Sequence, residues 1–153
     1  MKSILISACL LGMPCRYDGK CKKSIDLTGL RNKYSFVPVC PEIYGGLPTP
    51  RTPSERVGES VIMADGTNVT ENFVRGAEAA YELALQFDCR VAVLKERSPS
   101  CGCGEIYDGS FTKAMKAGDG VTAEYLKAKG IEILGESRIS ELDKIVDKMY
   151  FEE

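Results

Sequence analysis

The sequence predicts an α/β fold: an open, mainly parallel, Rossmann-like sheet with flanking helices, in a single domain spanning residues 1–153. Three observations predict it. Apolar residues switch between strand and helix spacing in the order β-α-β, α-β, α-β-α, the pattern of a sheet with helical crossovers. The run Val91-Ala-Val-Leu94 is continuously apolar, as in a strand covered on both faces. A chain of 153 residues that is 44% apolar and 27% charged also has the size and composition of one globular unit with its own core.

The elements follow in order. Ser3–Ser7 (Ser-Ile-Leu-Ile-Ser) reads as a first strand, too short and too polar at its edges for a signal peptide. Residues 22–33 carry Ile25, Leu27 and Leu30 in a polar setting and suggest a helix. Phe36–Val39 is the next strand, weakened by Pro38, which cannot donate to a ladder. Residues 41–57 hold Pro41, Gly45, Gly46, Pro48, Pro50 and Pro53 and read as a loop. Asp65-Gly66, between Ser60–Met63 and Thr67–Val69, is a hairpin signal.

From Thr70 to Phe87, residues Phe73, Ala77, Ala80, Tyr81 and Ala84 recur at helical spacing, with Thr70 as the N-cap. Arg90–Leu94 is a strand and Lys95–Gly120 a second long loop. Residues 122–129 form a helix stopped by Gly130, and Ile131–Leu134 is the last strand. Ser140 with Asp143 resembles a capping box, ahead of Leu142, Ile145, Val146 and Met149 on one face of a final helix.

Composition narrows the chemistry. There is no histidine, which removes Ser-His and Cys-His nucleophile pairs, His metal ligands and His proton shuttles. A net charge of −2 argues against a stable nucleic-acid partner and leaves a small molecule as the expected one. No run of about 18 apolar residues exists, so no membrane span is expected. Seven cysteines, an odd number, fit a disulfide framework poorly. They are expected in a reducing cytoplasm, as reactive or metal-binding thiols.

Their positions carry the functional reading. Cys9 follows the first strand, Cys40 closes the second, and Cys101 lies in the loop leaving the strand that ends at Leu94. Ligands of an open α/β sheet bind in the crevice beyond the carboxyl ends of its strands, where these three thiols would converge. Cys89 precedes a strand at the opposite edge and reads as core. The spacings Cys9-x5-Cys15-x5-Cys21 and Cys101-x-Cys103 match no zinc-ribbon or ferredoxin pattern, and on spacing alone Cys101 and Cys103 are equivalent. Three soft thiolates suit an Fe–S cluster or zinc, and three protein ligands leave a fourth position open. A non-catalytic thiolate site, structural or sensing, stays open as the alternative.

With no histidine, Glu42, two residues after Cys40, is the candidate general acid or base. Ser98 and Ser100 stand just before Cys101. Gly45 and Gly46 would let backbone N–H groups approach a ligand, Arg51 would meet an anion, and Tyr17 and Tyr44 are candidates to stack a base.

These residues fall in blocks. Ser7-Ala-Cys-Leu-Leu-Gly12, Cys15-Arg-Tyr-Asp-Gly19, Val39-Cys-Pro-Glu42 and Gly45-Gly-Leu-Pro-Thr-Pro-Arg51 closely resemble the thiouracil desulfidase family of bacteria and archaea. The resemblance continues through Leu94-Lys95, Ser98-Pro-Ser-Cys-Gly102, Ile106-Tyr-Asp-Gly109 and Gly118-Asp-Gly-Val-Thr122, over nearly the whole chain, in its short single-domain form. It implies a [4Fe-4S] cluster held by Cys9, Cys40 and Cys101, with the fourth iron open to the substrate sulfur. It also implies Glu42 as the catalytic acid/base and Ser98 as a hydrogen-bonding partner of substrate or sulfide. Ser100, Gly45 and Gly46 are the expected substrate contacts. The implied reaction is hydrolysis, without electron transfer, of the thiocarbonyl of a thio-base or thionucleotide, releasing hydrogen sulfide.

Overall fold

The computed structural model describes residues 1–21 and 23–151. The elements run β1 (Lys2–Ser7), β2 (Tyr34–Val39), α1 (Pro41–Tyr44), β3 (Ser54–Val57), β4 (Ser60–Met63), α2 (Thr70–Gln86), β5 (Val91–Leu94), β6 (Glu105–Tyr107), β7 (Met115–Ala117), α3 (Val121–Ala128), β8 (Glu132–Gly135) and α4 (Leu142–Phe151). Short 3-10 turns occupy Ala8–Leu11 and Glu136–Glu141.

Strands β2, β1, β5 and β8 form one sheet in that order, every pair parallel. Ser7 stands opposite Val39 and Leu94 opposite Gly135, so the strands end level with one another. The order reverses between β1 and β5, the point where an open α/β sheet leaves a crevice. Side chains alternate through the sheet. Leu5, Ala92, Leu94 and Ile133 pack against Ala80 and Ala84 of α2 and Ala123 and Leu126 of α3. Ile4, Ile6, Val91, Val93 and Leu134 face Leu142, Ile145 and Val146 of α4. A third cluster, Leu47, Val61, Val69 and Phe73, seats the β3–β4 hairpin on α2.

The fold class is the one expected, and several local readings are corrected. Residues 23–33 form no helix, being irregular over 23–27 and turns over 28–33; Lys22, the first residue of that expected helix, lies outside the described residues. Asp26 Oδ1 accepts from Thr28 N at 2.9 Å and Gly29 is left-handed at φ 82°, so the chain bends where a helix would continue. Pro38 does sit in a strand, because β2 is an edge and, among the described residues, pairs with β1 alone. The Asp65-Gly66 hairpin forms as expected, with Met63 N donating to Thr67 O at 2.8 Å, Val69 N to Val61 O at 2.9 Å and Ile62 bridging Asn68 antiparallel, and β4 pairs with β3 as well.

Thr70 is not the N-cap of α2; Val69 is. The Thr70 hydroxyl instead accepts from Val61 N at 2.9 Å, tying β4 to the helix. Asp143 makes no capping box: it accepts from Lys33 Nζ at 3.0 Å and from the Tyr34 hydroxyl, anchoring α4 to β2. No described helix is long and apolar enough to cross a membrane.

α1 and α2 meet backbone to backbone. A Cβ on Gly76 would lie 1.9 Å from Pro41 O, and one on Gly45 would lie 2.0 Å from Asn72 O. Asn72 Nδ2 closes the contact by donating to Gly45 O at 2.8 Å. Neither approach leaves room for a methyl group. Gly76→Ala is therefore expected to push α1 off α2 and to lower stability by about 1–3 kcal/mol in urea unfolding. An unchanged midpoint would show that this contact gives way freely.

Candidate active site

The carboxyl ends of β1, β2 and β5 deliver the chemistry. Beyond β1, Ser7 is buried and its Oγ accepts from Lys95 N at 2.9 Å, joining the ends of β1 and β5 at the switch point. Cys9 follows in the 3-10 turn Ala8–Leu11, half-buried. Beyond β2, Cys40 is the N-cap of α1, with Pro41 at its first position and Glu42 in its first turn. Proline there is pre-set for the helical φ and has no N–H to satisfy. Two residues of chain thus carry a thiol and a carboxylate into the same crevice.

Beyond β5 the loop Ser98–Gly102 is held by its own side chains and by α3. Ser98 Oγ accepts from Ser100 N at 3.1 Å and Cys101 N at 3.0 Å. Val121 N donates to Pro99 O at 2.9 Å and Thr122 N to Ser100 O at 2.8 Å. The first N–H groups of a helix have no partner within it, so α3 gains from this loop what the loop gains from α3. Cys101 is buried by this packing.

The thiols meet electrostatically. Cys40 Sγ donates to Cys15 O at 3.7 Å, and the buried Cys15 thiol feels those of both Cys9 and Cys40. The bond from Cys40 draws Cys15 down, but contact with Cys9 and burial outweigh it and leave the thiol raised. Hydrogen bonding to Cys15, then burial, holds Cys40 far above an ordinary thiol. Burial pushes Cys101 up to about 12, with the Glu42 and Cys40 charges adding, while hydrogen bonds from Ser7 and Ser100 oppose the rise. Burial also raises Glu42, and Arg51 pulls the other way.

Arg51 and Glu42 form an ion pair at 3.3 Å, with side chains 2% and 18% exposed. Cys9, Cys40 and Cys101 are the side chains that could hold a soft metal centre, with Cys15 against two of them. Among the described residues no three Cys, Asp or Glu side chains close around a single-ion position.

The other expected site residues divide. Ser100 is wholly buried, its Oγ 2.8 Å from Thr122 Oγ1 and 4.0 Å from Cys101 Sγ, so its hydroxyl faces the thiol rather than an open surface. The N–H groups of Gly45 and Gly46 donate to Pro41 O and Ile43 O, both at 2.9 Å, and close α1. Tyr17 and Tyr44 are exposed. Arg51 does not present its guanidinium to solvent. Cys103 lies partly buried against the core and Cys89 is buried in it, while Cys21 is exposed. Two site residues were not singled out in the sequence. Ser7 is signalled only as the polar end of the run Ile4-Leu5-Ile6, and Cys15 only as a thiol in a polar stretch.

Thiols and a half-buried carboxylate gathered beyond the strand ends at a topological switch point are the layout of a small α/β enzyme. The profile of the 2-thiouracil desulfurase family matches residues 4–138, and the chain belongs to that family. A solved structure, the [4Fe-4S]-dependent thiouracil desulfidase TudS, is 45% identical, superposes with a TM-score of 0.92, and is matched over 97% of this chain and 99% of that one. The uncharacterized protein YbbK of Bacillus subtilis (strain 168) is 36% identical over 149 residues, 91% of this chain and 99% of its own length.

The burial of Cys101 has a direct consequence in metal-free protein. Against an ordinary value of 9.0, a pKa of about 12 lowers its thiolate fraction at pH 8 about 10³-fold. Iodoacetamide at pH 8, followed by peptide mass spectrometry, is expected to label exposed Cys21 well ahead of buried Cys101. Raising the pH should speed Cys101 labelling, since its thiolate forms only as pH climbs toward that value. Early labelling of Cys101 would show an open crevice.

Proposed function

We propose that this chain is a [4Fe-4S]-dependent desulfidase that hydrolyses the thiocarbonyl of a thiouracil or related thionucleotide to the carbonyl, releasing hydrogen sulfide. The observation that carries the reading is a half-buried carboxylate, Glu42, in the first turn of the helix that Cys40 caps, in a chain 45% identical to a desulfidase of that kind. The donor chemistry fits the cofactor. Cys9, Cys40 and Cys101 are soft donors from three separate elements, and their number leaves one iron without a protein ligand. Raised thiol pKa values are no obstacle, since coordination replaces the proton.

When bound, the cluster supplies a Lewis-acidic iron with affinity for sulfur. The protein's own part is proton transfer and positioning. Glu42 takes a proton from the water that attacks the thiocarbonyl carbon and passes it to the departing sulfur, and the second water proton follows through the same carboxylate as the carbonyl forms, so that sulfur leaves as hydrogen sulfide. Ser98, which accepts two backbone N–H groups, keeps its hydroxyl hydrogen free to donate a hydrogen bond to substrate or sulfide. Ser100 supports the Cys101 sulfur, and exposed Gly46, seated by buried Gly45, forms part of one wall for a flat ring. The enzyme works in the cytoplasm on a small molecule, without a stable nucleic-acid partner.

Removing any one of the Cys9, Cys40 or Cys101 thiols as Ser is expected to lose iron, acid-labile sulfide and activity together in anaerobically reconstituted protein. Glu42→Gln should keep the cluster and lose turnover by about 10²-fold or more. Full activity in Glu42→Gln would sink the acid/base assignment. One zinc and no labile sulfide in the wild type would sink the cofactor.

A further inference from the structure

Arg51 is the charged group of this site that the proposed reaction leaves without a role. Its guanidinium is spent inside the protein. Nε donates to Glu42 Oε1 at 3.3 Å, Nη1 to Pro48 O at 3.2 Å and Thr49 Oγ1 at 3.0 Å, and Nη2 to Cys15 O at 2.9 Å. Its own backbone N donates to Tyr17 O at 2.7 Å. With a side chain only 2% exposed, it has no face left for an anionic substrate.

The arrangement exceeds what charge balance needs. A half-buried carboxylate could be neutralised by any cation within a few ångströms, but four acceptors around one side chain demand a planar fork with donors in fixed directions. Three of them, from Pro48, Thr49 and Cys15, lock the guanidinium, and the locked guanidinium then fixes the fourth, Glu42. The Cys15 carbonyl that receives Nη2 also receives the Cys40 thiol, so the same group sets the carboxylate relative to a cysteine of the crevice.

We infer that Arg51 is a positioning residue for the hydrolysis: it holds one oxygen of Glu42 in place, and so sets the direction in which the other meets the reacting water. The inference rests on the reading of Glu42 as acid/base. Lysine would keep the charge and lose the fork, which separates positioning from neutralisation.

The test compares wild type, Glu42→Gln, Arg51→Lys and the double variant, reconstituted anaerobically and assayed for sulfide release from 2-thiouracil. Iron and labile sulfide per chain are measured on each. Arg51→Lys is expected to keep its cluster and its KM while kcat falls about tenfold or more. In the Glu42→Gln background the same change should cost nothing further, because Arg51 acts only through Glu42.

Wild-type kcat in Arg51→Lys would overturn the inference. So would an equal loss in the Glu42→Gln background, or a raised KM at unchanged kcat, which would make Arg51 a substrate-binding group. Full turnover in Glu42→Gln would instead overturn the Glu42 reading beneath it. Should Arg51→Lys not fold, Glu42→Asp tests the same contact from the other side. It withdraws the carboxylate from Nε by one C–C bond and is expected to lose kcat with the cluster intact. Wild-type kcat there would overturn the inference.

Discussion

Level, parallel pairing is the constraint on which this site depends. Because Ser7 faces Val39 and Leu94 faces Gly135, the chain leaves its strands at one height. Cys9 and Cys40 follow within two residues of their strands, and the Ser98–Gly102 loop brings Cys101 back to the same edge. A slip of one residue between β1 and β2 would move the thiol of one strand relative to the other and turn Ile4 and Ile6 out of the α4-facing core. The hydrophobic alternation that buries both faces of the sheet therefore also aligns the chemistry at its end.

Polar groups carried into such a crevice lose water and need partners. Among the described residues no buried side-chain nitrogen or oxygen lacks a hydrogen bond. Ser7, Ser98, Ser100, Thr122 and Arg51 each engage backbone or side-chain groups of the elements around them. A buried ion pair such as Arg51–Glu42 adds little net stability, since desolvation offsets the attraction, yet removing one partner costs about 3–5 kcal/mol. Its value lies in fixed geometry. The close contact of α1 with α2 through Gly45 and Gly76 acts in the same sense, since it seats the short helix that carries Glu42.

The sheet was legible in the sequence because its strands are local and strongly apolar, and α2 and α4 because their apolar faces repeat at helical spacing. Residues 23–33 were misread because Leu27 and Leu30 mimic that spacing, while Gly29 and the Asp26 side chain bend the chain. Strand β3 and ribbon β6–β7 lay hidden in apparent loops, while β4 stands where Ser60–Met63 was expected. They are held by long-range bonds: buried Glu55 Oε1 accepts from Gly109 N at 2.9 Å and Phe111 N at 3.1 Å, and Arg56 reaches Asp119 O at 2.8 Å. No local pattern records a partner more than 50 residues away.

What the sequence by itself determined is the α/β class, the family blocks, and the placement of Cys9, Cys40 and Cys101 just beyond strands, because strand ends and motif spacing are properties of neighbouring residues. Only the tertiary structure decided what each polar side chain faces. It put Cys15 against Cys9 and Cys40, turned the Ser100 hydroxyl toward Cys101, closed Gly45 and Gly46 on α1, and buried Arg51 behind Glu42. Those outcomes depend on which surfaces lose water together. Burial of that kind is a property of the packed crevice and of no stretch of chain alone.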